Sequence, residues 1–428
     1  FLRLNWGKSP FPSHYRRSLS LSEGVSEESF EVGAQPYRSK RLYSALGKEV
    51  QVVSLTNHST EAKQDTLRLS LTRPENGQRT IGAGYLTLAG QLPDGRQGKG
   101  LRYAIVVRPV LPQGGKLIAR DNELLIVDAP VINLYIAHNT NYYNKRSPLI
   151  ALGVEQLIQA EAWGEEKLYQ EHVHQFSSQM DRVRVHLGSG DATRGSLPIE
   201  RRLSAYHEHP ESDPALASLY LQLGRYLLLS STRPGALPPN LQGLWTETIQ
   251  APWNGDYHLN INLQMNYWPA EKGALSETVS PLTDWIESIV PSGEKTARTF
   301  YGAKGWVTHV LGNVWQFTAP GEHPSWGATN TSAAWLCQHL FNHYRYSQDR
   351  AYLGRIYPLM QGAARFFLST LVEDPNTKYL VNVPTTSPEN SYYTPDGKEV
   401  AVVAGSTMDN QIIRELFTNT REAALLLK

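Results

Sequence analysis

The sequence predicts a multidomain β + α chain, an antiparallel β-sandwich followed by a large α-helical domain whose loops carry a site. Three observations predict it. The first part is filled with short alternating or β-branched runs, separated by hairpin signals and with no helix between them. From about Ser147 the apolar period becomes helical. At 428 residues the chain is also too long for one ordinary core, so two or three domains are expected.

The elements follow in order. Phe1–Trp6 reads as the middle of a strand, so the natural start is expected to lie upstream. Gln51–Leu55, Asp65–Thr72, Arg79–Leu88 and Arg102–Arg108 read as strands. Pro74–Gly77, Pro93–Gly95 and Pro112–Gly115 supply turns between them. Lys116–Tyr143 adds two more strands around Arg120-Asp-Asn122. Leu152–Phe176 then reads as one helix, with Glu and Gln on its outer face, linking two domains. Asp213-Pro214 is a helix start, with Asp as N-cap and Pro in the first turn. Leu216, Leu219, Tyr220, Leu223, Tyr226 and Leu227 follow at helical spacing as one apolar face. Thr331–Val372 holds at least two helices broken near Ser347-Gln-Asp349, and Thr407–Leu427 is another. The chain stops in mid-helix at Lys428 with no cap, which reads as C-terminal truncation.

The formal net charge is +1, so nothing draws the chain to nucleic acid or an anionic membrane. No apolar run has transmembrane length. The single cysteine, Cys337, allows no internal disulfide and sits in an apolar helical run, as a buried inert thiol does. His339 and His343 lie four apart, but no third metal ligand accompanies them, so no metal is expected. Gly95-Arg-Gln-Gly-Lys-Gly100 has the composition of a phosphate loop but leads into a strand, so it reads as a hairpin loop.

Chemistry concentrates in one segment. Leu237-Pro-Pro-Asn-Leu-Gln-Gly-Leu-Trp245 and Trp253–Glu271 combine carboxamides, aromatics, one imidazole and carboxylates. A sugar site needs that mixture, because amides and imidazole bond hydroxyls while aromatic faces cover the apolar side of the ring. His258, Asn260 and Asn262 alternate with Leu259, Ile261 and Leu263, which describes an extended stretch with one polar and one apolar face. Tyr257, Tyr267, Trp253 and Trp268 crowd around it. Eight of the ten tryptophans lie between Trp245 and Trp335. Most belong to the core, but Trp253, Trp268, Trp315 and Trp326 stand in loop-like context, and one or two of them suit a sugar platform. A second constellation, Pro384–Tyr393, holds Glu389 between Pro388 and Asn390. Partial burial beside two tyrosines would favour the protonated form that a general acid needs.

Taken together, these segments resemble glycoside hydrolase family 95, the α-L-fucosidases that cleave 1,2-linked fucose. The resemblance rests on Leu237–Trp245, Asp256–Glu271 and Ser387–Asn390, supported by Gly305-Trp-Val-Thr-His309 and Thr407–Leu416. It implies an N-terminal β-sandwich over 1–146, a helical linker over 147–200 and an (α/α)₆ barrel over 201–428, incomplete at its C-terminus. It also implies an inverting mechanism without cofactor or metal. In that mechanism Glu389 is the general acid, and Asn260 and Asn262 hold and polarise the attacking water. His258 contacts sugar hydroxyls, with Trp253, Trp268, Trp326 and Tyr257 as further substrate contacts. The partner implied is a fucosylated glycan, and the location is secreted or periplasmic. The family's base aspartate lies in an Asp-Gly-Asn-Phe-Gly motif, and that motif is absent from these 428 residues. Two rival readings stay open, an α-L-galactosidase of the same family and a catalytically silent carbohydrate-binding chain. A helical-barrel hydrolase or phosphorylase of other specificity is disfavoured by the His258-x-Asn260-x-Asn262 pattern.

Overall fold

The computed structural model describes residues 1–7, 11–73, 77–82, 84–143, 148–188 and 192–428. The turn expected at Pro74–Asn76 and the domain boundary expected at 146/147 lie outside the described residues. The chain divides into two compact units, Phe1–Asp181 and Arg182–Lys428.

The first unit is an antiparallel sandwich. One sheet has eight strands, β2 (Ser13–Ser20), β3 (Val25–Val32), β4 (Gln35–Ala45), β5 (Val50–Asn57), β12 (Val131–Thr140), β9 (Lys99–Val110), β8 (Tyr85–Pro93) and β7 (Gly77–Gly82), in that spatial order. The other has four, β1 (Leu2–Asn5), β6 (Leu67–Leu71), β11 (Glu123–Val127) and β10 (Lys116–Arg120). Alternation along each strand makes the core between them. Val53 and Leu55, Leu67, Leu69 and Leu71, Leu86 and Leu88, Leu124 and Ile126, and Ile132 and Leu134 all point inward. A short helix, α1 (Thr60–Gln64), is capped by Ser59, whose side chain accepts from the Ala62 N–H.

The intervening residues of the large sheet form a second core on its other face. Val52, Val106, Tyr135 and Ala137 pack there against Leu157, Ala160 and Leu168 of α2 (Leu149–Trp163) and α3 (Glu165–Met180). The single helix expected over Leu152–Phe176 is therefore two. Gly164 separates them at φ +79°, a left-handed conformation that glycine adopts without steric cost.

Three other expectations in this unit are refined. Arg79–Leu88 is two strands, Lys116–Tyr143 is three, and the four strands before Val50 were not foreseen, save β1 in part. The charged Ser13–Val32 strands carry little apolar alternation, so only their hairpin pairing reveals them. The Gly95–Gly100 loop is a hairpin loop between β8 and β9. Asp94 Oδ1 accepts the N–H groups of Arg96 at 2.8 Å and Gly98 at 2.7 Å, so a carboxylate already occupies the place an anion would take.

The second unit is helical. After the short α4 (Ala192–Gly195) and α5 (Ile199–Glu208) come α6 (Ala215–Ser231), α7 (Asn262–Lys272), α8 (Val279–Tyr301), the one-turn α9 (Pro324–Gly327), α10 (Ser332–Ser347), α11 (Arg350–Thr370) and α12 (Thr407–Leu427). The break between α10 and α11 falls where expected. Gln348 takes a left-handed C-cap, and Asp349 Oδ1 accepts from Ala351 and Tyr352 N–H at 2.8 and 3.1 Å. Helices α8, α10 and α11 share a core of Trp285, Ile286, Leu336, Leu340, Phe341, Ile356, Met360 and Phe367. Cys337 lies buried in it, its thiol pushed up to about 12 by burial.

Asp213 stands just before Pro214, its carboxylate held by Arg202 Nε and Nη2 at 2.9 and 3.1 Å and by the Leu216 N–H in the first turn. One reading of α6 needs correction: the buried face is rotated from the expected one. Leu216, Leu228 and Leu229 are buried, while Tyr220 is 79% exposed. The cause is Arg225, fully buried on that face, whose Nε donates to Gly273 O at 2.9 Å at the C-terminus of α7. A cation there meets carbonyls that the helix leaves unpaired.

Candidate active site

Two ribbons shape the cleft in the second unit. β13 (Tyr257–His258) pairs antiparallel with β14 (Leu311–Gly312), setting His258 opposite Leu311. Behind β13, the Leu237–Trp245 segment acts as a brace: Tyr257 Oη donates to Pro238 O at 3.1 Å, and Leu241 N–H to Asp256 O at 3.3 Å. Behind β14 lies a buried histidine. A carbonyl can only accept, so His309 Nδ1–H donates to Thr318 O at 2.8 Å, which leaves Nε2 to accept from Tyr301 Oη at 2.6 Å. Burial pulls the His309 imidazole down to about 4. Trp306 beside it is fully buried and donates to Leu359 O at 2.9 Å. The Gly305–His309 motif is therefore a packing element that presents Val310 and Leu311 to the cleft.

The cleft encloses about 260 Å³ and is lined by Trp253, Asn254, Asp256, His258, Val310, Leu311, Glu322, Trp326 and Glu389. Trp253 and Asn254 sit in the turn Pro252–Gly255 at φ +47° and +57°. Non-glycine residues in that region cost on the order of 1–3 kcal/mol each, a strain that concentrates at ligand-gripping turns. Trp326, on α9, is held from its edge by Glu322, whose Oε2 accepts the indole N–H at 3.3 Å. Burial raises the Asp256 carboxyl above the usual range; His258 opposes that and Glu322 adds to it.

Glu389 stands in a loop between two small hairpins. β17 (Thr385–Thr386) pairs with β20 (Val402–Val403), and β18 (Tyr392–Tyr393) with β19 (Glu399–Val400). A further pair, β15 (Val372–Glu373) and β16 (Leu380–Val381), precedes them. Asn390 N–H donates to Ser387 O at 2.7 Å and closes a tight turn around Glu389. Glu389 is exposed rather than partly buried, because Tyr392 and Tyr393 turn to solvent on their own hairpin. Asn260 Nδ2 donates to Glu389 Oε1 at 3.4 Å, joining the two constellations across 129 residues of sequence. Asn260 itself is buried, and its Oδ1 has no hydrogen-bond partner.

The structure thus brings Glu389, Asn260, His258, Trp253 and Trp326 together and leaves Asn262, Tyr257, Trp268 and Trp315 apart from them. The extended stretch ends early. Ile261 turns the chain at φ −174°, ψ −34°, and Asn262 opens α7, so the period-two face stops at Asn260. Ile261 is accordingly exposed instead of facing the core. Tyr257 is a core residue, its ring edge-on to Trp285 at 4.8 Å and its hydroxyl used by Pro238. Trp268 on α7 is 53% exposed and not part of the cleft lining. Trp315 is also exposed and not part of the lining. Of the histidine pair on α10, His343 Nδ1 bonds Glu271 Oε1 at 2.6 Å, and no group of three or more His, Cys, Asp or Glu able to hold a metal occurs among the described residues. Nor, among them, is any helix long and apolar enough to cross a membrane. Sequence reasoning missed Glu322, and Asp256 entered it only as the first residue of a matching segment. Lone carboxylates in Gly/Pro-rich loops give no period or motif, and only the fold converges them.

Comparison with known proteins agrees with this architecture. Residues 2–145 match the N-terminal domain model of glycosyl hydrolase family 65, and residues 164–428 match the catalytic domain model of glycosyl hydrolase family 95. Alpha-L-fucosidase 2 of Arabidopsis thaliana is 32% identical over 96% of this chain and 52% of its own length. Probable alpha-fucosidase A of Aspergillus niger is 32% identical over 97% of this chain and 53% of its own length. The chain spans about half the length of these relatives. Among solved structures, a putative kojibiose phosphorylase from human microbiome superposes with a TM-score of 0.66 at 12% identity, covering 96% of this chain and 52% of that one. That likeness shows the fold alone, an antiparallel β domain followed by helices of the (α/α)₆ kind. With a catalytic-domain match over more than half its length and relatives above 30% identity, the chain belongs to glycoside hydrolase family 95.

Proposed function

We propose that the protein is an exo-acting, inverting α-L-fucosidase on 1,2-linked fucosyl glycans, with Glu389 as general acid. The observation that carries this reading is the buried Asn260 amide. Its Nδ2 engages Glu389 while its Oδ1 is left without a partner, an acceptor in need of a hydrogen. A water bound there is polarised by the carboxamide oxygen. His258 offers a hydrogen-bonding imidazole for sugar hydroxyls, and Trp253 and Trp326 offer faces for the ring. Asn262 belongs to the same motif and opens α7; on this reading it holds the water together with Asn260.

The inverting geometry imposes a condition. Acid and base of inverting glycosidases stand roughly 6.5–9.5 Å apart, leaving room for ring and water. The direct Asn260–Glu389 bond occupies part of that space, so substrate must replace it. On this reading Glu389 then protonates the departing glycosidic oxygen, and the water attacks the opposite face of the sugar. The Asp-Gly-Asn-Phe-Gly motif expected to carry the base is absent from the 428 residues, and no residue here is assigned that role. The fucosylated glycan is the expected partner, and no cofactor takes part.

The test combines binding and turnover. Saturation-transfer NMR with methyl α-L-fucoside should show contact through the ring and C5-methyl protons. Fucose release from 2′-fucosyllactose, followed by proton NMR, should yield the β-anomer first. Absence of both would overturn the proposal, as would a first-formed α-anomer for the inverting part. Faster hydrolysis of nitrophenyl α-L-galactoside than of the fucoside would move the substrate to L-galactose, from which an apolar pocket discriminates only about 10²-fold.

A further inference from the structure

Behind the Glu389 loop lies a cluster of polar side chains that the reaction does not use. Thr329, Asn330, Thr331, Asn382, Thr385, Thr386 and Asp409 are each at most 1% exposed. Asn330 and Asn382 exchange amide bonds, at 3.2 Å from Asn330 Nδ2 and 2.7 Å from Asn382 Nδ2. The hydroxyls of Thr329 and Thr386 meet at 2.8 Å. At the centre, Asp409 takes hydrogen bonds from Thr331 Oγ1 and Thr385 Oγ1, each at 2.7 Å, and from Ser406 Oγ. One carboxylate thus ties together the segment entering α10, the strand that leads into the Glu389 loop and the first turn of α12.

A buried anion is costly unless it is paired or fully hydrogen-bonded. Among the described residues no cation bonds to Asp409; three hydroxyls satisfy it instead. An apolar cluster of the same size would stabilise the helices equally well but would let a short loop slide. A directional network gives the strand one position. Thr386 is three residues before Glu389, and the residues between form the tight turn closed by the Asn390–Ser387 bond. Glu389 itself is exposed, and its one bond to Asn260 must give way to substrate, so its position during the reaction has to come from the loop that carries it.

We propose that Asp409, through Thr385, is a positioning residue for Glu389, which fixes the acid at the height of the glycosidic oxygen. This rests on the reading of Glu389 as general acid. Two variants test it, Asp409→Asn and Thr385→Val, with Arg421→Gln on the exposed side of α12 as control. Hydrogen exchange is the first measurement. The Asn390 amide should exchange about tenfold faster in both variants, while amides in the core of α8 and α11 stay unchanged. A uniform rise across the whole unit, or no change at Asn390, overturns the proposal, since the cluster would then only add stability or do nothing for the loop.

The second measurement separates positioning from stability by leaving group. Departure of lactose needs the acid's proton, whereas departure of dinitrophenolate does not. Both variants should lose about 10- to 100-fold in turnover of 2′-fucosyllactose and less than about 3-fold on dinitrophenyl fucoside. Equal losses on both substrates overturn the positioning role. Glu389→Gln is the reference. If it lacks this leaving-group signature, the acid reading fails, and the exchange result alone then decides whether Asp409 holds the loop.

Discussion

The sandwich and the helical unit bury their interiors in opposite ways. Between the two sheets the interior is a ladder of Val, Leu and Ile from alternating positions on six strands and their neighbours. In the helical unit, the zone beneath Glu389 is threonine, asparagine and one carboxylate, all as deeply buried as the leucines. Apolar packing tolerates exchange of one shape for a similar one, because its attraction has no direction. A hydrogen-bonded cluster does not, because each donor must meet its acceptor. The first interior provides stability, and the second defines where one loop stands. The contrast explains why the cleft lies beside the polar interior.

Substitutions can break this contrast. The largest effect is expected at Glu389, the acid of the proposed reaction. Glu389→Gln should lower fucose release about 10²- to 10⁴-fold with the fold intact, measured by turnover beside circular dichroism. Next is the apolar ladder. Leu69 is fully buried, and Leu69→Ala should cost about 2–5 kcal/mol in denaturant unfolding while leaving fucoside binding unchanged. A change in binding of similar size would show that the two interiors do not divide the labour as argued.

Acidification probes the helical unit through two histidines. Burial holds His309 and His339 down to about 4. Both are neutral in the folded chain, whereas unfolded histidines take up protons near 6.5. Their contribution is therefore complete above pH 6.5 and is lost as pH falls from 6.5 toward 4, on the order of a few kcal/mol in all. Thermal unfolding across that range should show a falling midpoint, with a shallower slope in His339→Leu. An identical slope would remove His339 from the account.

The smallest effects belong to the cleft rim. Trp326→Ala should weaken fucoside binding about tenfold, from loss of one aromatic face. Glu322→Gln keeps an acceptor for the Trp326 indole and should change binding less than about 3-fold. It should also let the Asp256 carboxyl fall toward its ordinary range, seen by carbon NMR, because Glu322 is one of the charges that raise it.

Much of this was legible in sequence. Period-two alternation marked most central strands, and helical spacing located α10, α11 and α12. The amide-rich segment and the Ser387–Asn390 turn were recognisable as halves of one site, and Asn260 does meet Glu389. Legibility failed where local pattern and tertiary demand diverged. Asn262 continues the alternation, yet the chain turns into α7 before reaching it. Tyr257 reads as a sugar contact by its company, yet Pro238 and Trp285 claim it. The charged strands before Val50 lacked an alternating face because few of their residues are buried.

The sequence by itself determined the class of the fold and the segments that carry the candidate site, because hydrophobic period and residue type are local properties that need no partner to be read. Tertiary structure alone decided which of those residues face the cleft, that Asp256 and Glu322 join them, and that Asp409 bonds the strand leading into the Glu389 loop. The physical reason is that each of these facts is a meeting of segments far apart in sequence. Such meetings are fixed by the packing of helices and hairpins on one another, and not by the pattern within any of them.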